Sequence, residues 1–377
     1  MTVRGLHPES ATLIRQIFHD QEVLWPENNT FSEDIFFQDI VSQGMAPLLY
    51  QRLAAKRKTS WPQSLFLRLQ QTALRQAAVE VVLESDLGQL LACLADIGVA
   101  PLLLKGTPLS YTLYPEPGLR PRCDTDLFIP ETDREKTSAL LKKMGYAPLH
   151  EAQVDSINSQ MSYARKTAQG ITCRYDLHWQ VSNCNSRFSR DFIEGKLFEC
   201  AEAVSALGEN ARTLNKVDAL IFACFHRAGH FSHSGDRLIW LYDIHLLCQA
   251  LTAKEGTRFH QRAKELQIIS LCIDAIKTTQ SWFGTVCSQE LRNVLQEQAE
   301  HETAAFLLGK DRKEGIKKHA LLELQGLTWT QGCSYIVQNL FPPPDFMLWR
   351  YQKEKKIILP WLYARRFAEA VGIVLRR

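Results

Sequence analysis

Asp124 and Asp126, followed further along by Asp176 and His178, are the side chains of this chain best suited to chemistry. The first two stand in Cys123-Asp124-Thr125-Asp126-Leu127-Phe128-Ile129, bounded by the turn-like Pro115-Glu116-Pro117-Gly118 and by Pro130. If that run is a strand, its period of two turns both carboxylates to one face. Adjacent anions attract a divalent cation. Mg²⁺ takes one or two protein carboxylates and leaves phosphate oxygens and water to complete its octahedron. Asp176 is a third carboxylate, which makes room for a second ion. In Tyr175-Asp176-Leu177-His178-Trp179 the same alternation sends Asp176, His178 and Gln180 to one face and Leu177, Trp179 and Val181 to the other. His178 can then contact a bound phosphate compound or orient Asp176.

The segment ahead of the aspartates reads as a phosphate cradle. Ala100-Pro101-Leu102-Leu103-Leu104 is a short apolar run of buried-strand type that stops at Lys105-Gly106. Thr107 is a suitable N-cap and Pro108 suits the first helical position, so the spacing predicts a helix from there to Tyr114, ended by Pro115. This arrangement aims free N–H groups at the carboxylates. Gly106 allows close backbone approach and Lys105 adds a point charge. Arg120 and Arg122, just upstream of Asp124, can clamp further phosphate oxygens bidentately.

This order of apolar strand, Lys105-Gly106, short helix, Tyr114-Pro115, Arg120, Asp124-x-Asp126, a helix ending in Gly145-Tyr146, and Asp176-Leu177-His178-Trp179 resembles the uncharacterised nucleotidyltransferase family of the DNA-polymerase-beta-like superfamily. Arg237-Leu238-Ile239-Trp240-Leu241-Tyr242-Asp243-Ile244, Leu340-Phe341-Pro342 and Leu359-Pro360-Trp361-Leu362-Tyr363-Ala364-Arg365 resemble its helical half, so the likeness spans about residues 90–375. The resemblance implies transfer of a nucleoside monophosphate from a nucleoside triphosphate to a hydroxyl-bearing acceptor, with release of pyrophosphate. Asp124, Asp126 and Asp176 would be the catalytic metal ligands for Mg²⁺ or Mn²⁺. Lys105, Gly106, Thr107, Arg120, Arg122 and His178 would bind the nucleotide. One departure stands out: the superfamily's usual Gly-Ser pair is here Lys105-Gly106-Thr107.

The elements that must position these residues fall into three zones. Residues 1–95 read as an N-terminal helical region, with Pro8-Glu9-Ser10 opening one helix, Ser32 capping the next and a long helical stretch from Pro62 to Cys93. Residues 96–185 alternate strand and helix signals: strands at 99–104 and 123–129, a helix at 132–144 closed by Gly145, and a hairpin at 160–181 turning at Gln169-Gly170. This zone is the expected catalytic core. Residues 186–377 read as a C-terminal helical domain, broken at Gly208, Gly229, Gly235, Gly256, Gly284 and the Pro342-Pro343-Pro344 run. The fold class is therefore α+β, a small mixed-sheet core flanked by helical regions.

Composition narrows the function without naming it. The 377 residues, 45% of them hydrophobic, can bury a sizeable core. A net charge of +3 lacks the basic stripe of a nucleic-acid channel, which favours a small molecule, glycan or protein as acceptor. Ten scattered cysteines form no Cys-x-x-Cys pair, which argues against zinc ribbons and secreted disulfide scaffolds. With no apolar signal core at Met1-Thr2-Val3-Arg4-Gly5 and no membrane-spanning run, the expected setting is cytoplasmic.

Two features admit other readings. His226 and His230 share a helical face, with His233, Asp236, Asp243 and His245 downstream, a pattern open to a transition-metal phosphohydrolase. Arg227 stands where a metalloprotease helix has glutamate, and packed histidines lining a cleft explain the spacing more simply. The basic C-terminus, Lys353-Glu354-Lys355-Lys356 through Arg365-Arg366 to Arg376-Arg377, surrounds apolar residues and could touch an anionic membrane surface, although Pro360 interrupts it and a packed helix with a solvated basic face fits better. A non-catalytic nucleotide-binding adaptor would be expected to lose a carboxylate, and here all three candidates are present.

Overall fold

The computed structural model describes residues 3, 5–26, 31–55, 61–149, 160–181, 188, 192–193, 196–231, 235–297, 302–308, 329, 333, 336–337, 340–342, 344–353 and 355–375. The N-terminal helix signals become α1 (Pro8–Phe18), α2 (Glu33–Ser42), α3 (Ala46–Ala55) and the 34-residue α4 (Gln63–Asp96). Pro8 sits in the first turn of α1, and the Ser32 hydroxyl accepts from the Ile35 N–H at the start of α2. At about 1.5 Å per residue, α4 is roughly 51 Å long and serves two cores. Its Leu65 and Leu69 pack among the N-terminal helices, and its Leu87, Leu90 and Leu94 pack behind the sheet.

The centre of the chain supplies β1 (Leu102–Leu104), α5 (Gly106–Thr112), β2 (Thr125–Phe128), α6 (Arg134–Lys143), β3 (Ala147–Pro148), β4 (Gln160–Lys166), β5 (Thr172–His178), β6 (Glu202–Ala203) and β7 (Arg212–Thr213). Together the strands form a seven-stranded mixed sheet of order β3-β4-β5-β2-β1-β7-β6, in which β2–β5 and β1–β7 are parallel. The fold is α+β. Gly145 follows α6 with φ +86°, and the Tyr146 and Gly145 N–H groups reach back to the Leu141 and Lys142 carbonyls, the left-handed closure the sequence predicts. The β4–β5 hairpin also turns where expected, with Gly170 at φ +81°.

The helical half comprises α7 (Lys216–Phe231), α8 (Leu238–Ala250), α9 (Ala253–Glu265), α10 (Ile269–Phe283), α11 (Gln289–Leu295), α12 (Pro344–Arg350) and α13 (Leu359–Leu375). Alternation along the strands divides the sheet between two cores. Leu103, Leu127, Tyr175 and Leu177 face α4 and α6, while Leu102, Leu104 and Phe128 face Leu220, Ile221 and Cys224 of α7. A third cluster joins the N-terminal helices to Tyr114, Leu119, Leu238, Ile239 and Trp282.

Four local expectations are corrected. The stretch from residue 186 is not helical throughout: β6 and β7 extend the sheet, each too short for a visible period-two pattern. Gly229 and Gly256 lie inside α7 and α9 rather than breaking them. A Cβ at Gly256 would stand 2.9 Å from the Glu290 Cβ, so this glycine lets α9 and α11 approach closely. Thr107 does not cap α5, which begins at Gly106 with Lys105 at the cap position. Pro360 lies in the first turn of α13, where its missing N–H has no partner to lose, so it starts that helix rather than interrupting one.

Buried polar ties fasten α4 to the sheet. Asp86 accepts from the Tyr175 hydroxyl at 2.8 Å and also from the Tyr146 hydroxyl and the Arg165 guanidinium. Burial pushes the Asp86 carboxyl up, and these donors outweigh it, leaving the pKa below 3.8. A carboxyl depressed in the folded state contributes stability that is complete above its unfolded pKa and is lost as pH falls through the folded one. Asp86→Asn should lower stability at pH 7 by about 1.5–3 kcal/mol in urea unfolding. It should also flatten the wild-type protein's loss of stability below about pH 4.

Candidate active site

Strand register assembles the site. Asp126 on β2 is the direct partner of Asp176 on the parallel β5, so the two carboxylates project from the same face one strand spacing apart. His178, two residues beyond Asp176, shares that face. Among the described residues, Asp126, Asp176 and His178 are the group whose ligand atoms lie within 4.8 Å of one another. Asp124 precedes β2, because the strand begins at Thr125 rather than at residue 123. Its exposed side chain lines the same cleft.

Positive charge is built into this cluster. Leu104 at the end of β1 pairs with Asp126, which brings the next residue, Lys105, alongside it. The Lys105 ammonium donates to Asp126 Oδ1 at 2.5 Å, and His178 Nε2 lies 2.7 Å from the same oxygen. His178 thus orients Asp126 rather than Asp176. Burial raises the Asp126 carboxyl, but the Lys105 charge and the His178 hydrogen bond and charge overcome it and hold the group far below the usual carboxylate range. Burial likewise lowers Lys105, and the charges of Asp126, Asp124 and Asp176 more than restore it. Asp124 goes the other way: although its side chain reaches solvent, the protein around it in the cleft partly desolvates it, and this, then the charges of Asp126 and Asp176, raise it against Lys105 and Arg120. Lys105 adopts φ +57° and ψ −130°, an unusual backbone for a residue with a side chain, and this turn carries its ammonium into the cleft.

The two arginines are held by carboxylates. Arg120 Nε and Nη2 donate to Asp243 of α8 at 2.8 and 2.6 Å, and the Tyr114 hydroxyl donates to the same carboxylate at 2.7 Å. Burial alone would lower the Arg120 pKa, and Asp243 drives it upward instead. Arg122 pairs with Glu80 of α4 at 2.9 Å and also reaches the Thr125 hydroxyl. Gly106 lies directly beneath Arg120, where any Cβ would collide with the guanidinium. Thr107 is buried, with its hydroxyl 3.5 Å from that of Thr125.

The three aspartates, His178, the turn at 105–107 and both arginines border one cleft of about 570 Å³, closed on its far side by α7 and α8. There His226 and His230 lie with ring centroids 4.5 Å apart, each 5.2 Å from Trp240. His233 lies outside the described residues. Asp236 pairs with Arg227, and the His245 Nδ1 is 2.8 Å from the Thr285 hydroxyl, so neither joins the histidine pair. Among the described residues, no third ligand completes a metal group around His226 and His230.

A family described as uncharacterised nucleotidyltransferases matches residues 31–284, a span that holds every residue of this cleft. The chain belongs to that family. The match begins earlier than the sequence motifs indicate and stops before the segments at 340–342 and 359–365. No curated protein matches the chain. Family membership makes the protein a transferase, implies a nucleoside triphosphate substrate and, usually, a divalent metal.

In this family member the sequence motifs point to the aspartates, the Lys105 loop and the two arginines, but not to which carboxylates hold the arginines. Glu80 had a signal: it falls at helical spacing from Leu83, Leu87 and Leu90, on the buried stripe of α4. Asp243 stood within the motif at 237–244, but its partner could not be read there, because Arg120 lies 123 positions away. Asp243→Ala should destabilise the protein by about 3–5 kcal/mol, since it leaves the buried Arg120 unpaired. Gly106→Ala should cost about 1–3 kcal/mol by overpacking the same pair. Both are read from chemical denaturation, and a loss under 0.5 kcal/mol in each would show that Arg120 relaxes freely.

Proposed function

We propose that the protein transfers a nucleoside monophosphate from a nucleoside triphosphate to a hydroxyl of a small molecule, glycan or protein, releasing pyrophosphate. The register pairing of Asp126 with Asp176, facing a family-matched cleft, carries this reading. The donor set suits Mg²⁺ or Mn²⁺, being carboxylate oxygens with one imidazole nearby. Asp126 already holds a cation in the Lys105 ammonium, so the position favours positive charge. Asp124, Asp126 and Asp176 would hold the metal, with His178 fixing Asp126. When bound, divalent ions supply charge neutralisation for the phosphate oxygens and lower the pKa of the attacking hydroxyl.

The chain's own residues do the remainder. Asp176 accepts the acceptor hydroxyl's proton at a carboxylate oxygen. The acceptor oxygen then bonds to the α-phosphorus, the bond from that phosphorus to the bridging oxygen breaks, and the electron pair leaves with pyrophosphate. Lys105 shares its ammonium between Asp126 and the triphosphate, while Gly106 and Thr107 shape the turn beneath it. Arg120 and Arg122, held by Asp243 and Glu80, contribute fixed positive potential to the cleft rather than mobile clamps. No helix of the described residues is long and apolar enough to cross a membrane.

Incubation of the protein with α-³²P-labelled nucleotides, Mg²⁺ or Mn²⁺ and cell extract should label an acceptor. Asp176→Asn should reduce that transfer by about 10²–10⁴-fold while leaving nucleotide binding largely intact. Asp176→Asn that transfers label at the wild-type rate would refute the assignment. Lys105→Met should weaken Mg-nucleotide affinity by about 1.5–3 kcal/mol in calorimetry. Without nucleotide, the same variant should bind Mn²⁺ more tightly, because the competing ammonium has gone.

A further inference from the structure

The cleft has two unlike walls. One carries the carboxylates, Lys105 and His178 from the sheet, and the other comes from α7 and α8. Apart from His178, every aromatic side chain lining the cleft belongs to that second wall. Trp240, His226 and His230 form a triangle there, with centroids 4.5 to 5.2 Å apart. Trp240 stays partly exposed and His230 is exposed, although their helices are otherwise deeply packed. Gly229, between the two histidines, borders the cleft without a side chain to fill it.

The chemistry of this wall selects its ligand. Its nearest acids are engaged: Asp243 by Arg120 and Tyr114, and Asp236 by Arg227. Burial, then the Lys105 and His230 charges, hold His226 well below its usual pKa and therefore neutral. His226 lines the same cleft as Lys105 and Asp126. What remains is a set of ring faces with the neutral His226 imidazole and the Arg237 guanidinium, 5.7 Å over the Trp240 ring, suited to a flat ring with polar edges. A polyol or cationic acceptor would call for carboxylates instead.

We infer that the wall formed by Trp240, His230 and His226 is the nucleobase subsite, on which the base of the incoming nucleotide stacks while its α-phosphate faces Asp126 and Asp176. This rests on the nucleotidyltransferase reading, because a base bound there must lie about one ribose from the reacting phosphorus. Stacking is tolerant of base identity, since every base has a π face. The ring wall therefore adds affinity for nucleotides as a class.

Calorimetry on the full chain with Mg²⁺ tests this, using α,β-methylene nucleoside triphosphates and the base-free probe ribose 5′-triphosphate. Wild type should bind the nucleotides more tightly than the base-free compound. Trp240→Ala and His230→Ala should each weaken nucleotide binding by about 5- to 150-fold, the range of one base–aromatic stack, and change ribose 5′-triphosphate binding little. Trp240→Phe should retain most of the affinity. Should Trp240→Ala fail to fold, the exposed His230→Ala and the conservative Trp240→Phe still decide the matter. Equal wild-type affinity for nucleotides and the base-free compound would overturn the subsite and leave the triphosphate reading standing. Variants that bind nucleotide as wild type does would do the same. If wild type bound neither probe, the nucleotidyltransferase reading would fall together with the subsite.

Discussion

A buried carboxylate at Asp126, set directly opposite Asp176 in a parallel strand pair, is the constraint on which the rest of the site depends. Desolvation and like-charge repulsion both oppose ionised acids in such a place. The fold answers with a fixed cation and a hydrogen bond: the Lys105 ammonium and His178 converge on a single oxygen of Asp126. Both partners come from strand geometry. Lys105 follows the residue of β1 that pairs with Asp126, and His178 lies two places beyond the residue of β5 that does so. Three neighbouring strands therefore carry the charged cluster, and no loop needs to fold over to complete it.

The unusual backbone at Lys105 follows from this arrangement. A lysine continuing the strand would alternate back toward the sheet's other face, so the positive φ at this residue redirects the chain into α5 and carries the ammonium into the cleft. Gly106 then has no side chain because Arg120 occupies the space above it. Arg120 is in turn held by Asp243, and Arg122 by Glu80. The segment leading into β2 is thus bound through buried ion pairs to α8 on one side and to α4 on the other. Pairs of this kind add little net stability, yet removing one partner is costly, so they fix geometry more than they stabilise the fold.

The two walls of the cleft divide the work according to the chemistry of their elements. Strands display alternate residues at fixed spacing, which suits charged groups that must converge on one atom. The facing helices present residues at i and i+4 on one surface, which suits broad contact; His226 and His230 use that spacing on α7, and Trp240 of α8 packs against both. Because α8 contributes both the Asp243 anchor and Trp240, movement of this helix would alter the positions of Arg120 and of the ring wall together.

The sequence alone determined the α+β class, the strands bearing Asp126 and Asp176, the α6 closure at Gly145 and the β4–β5 turn, because each follows from local periodicity and turn chemistry. It also placed Asp126, Asp176 and His178 on one sheet face, since they alternate with Leu127 and Leu177 in short strands, whereas Asp124 precedes its strand. Only the tertiary structure decided their partners. Lys105 meets Asp126, His178 orients Asp126 rather than Asp176, and Arg120 closes on an aspartate 123 positions away. Strand register between distant segments sets these meetings, and a one-residue shift in pairing would reverse every side chain without altering local periodicity. The two-residue strands β6 and β7 were hidden for a related reason: they exist only because the neighbouring strand edges supply their hydrogen bonds.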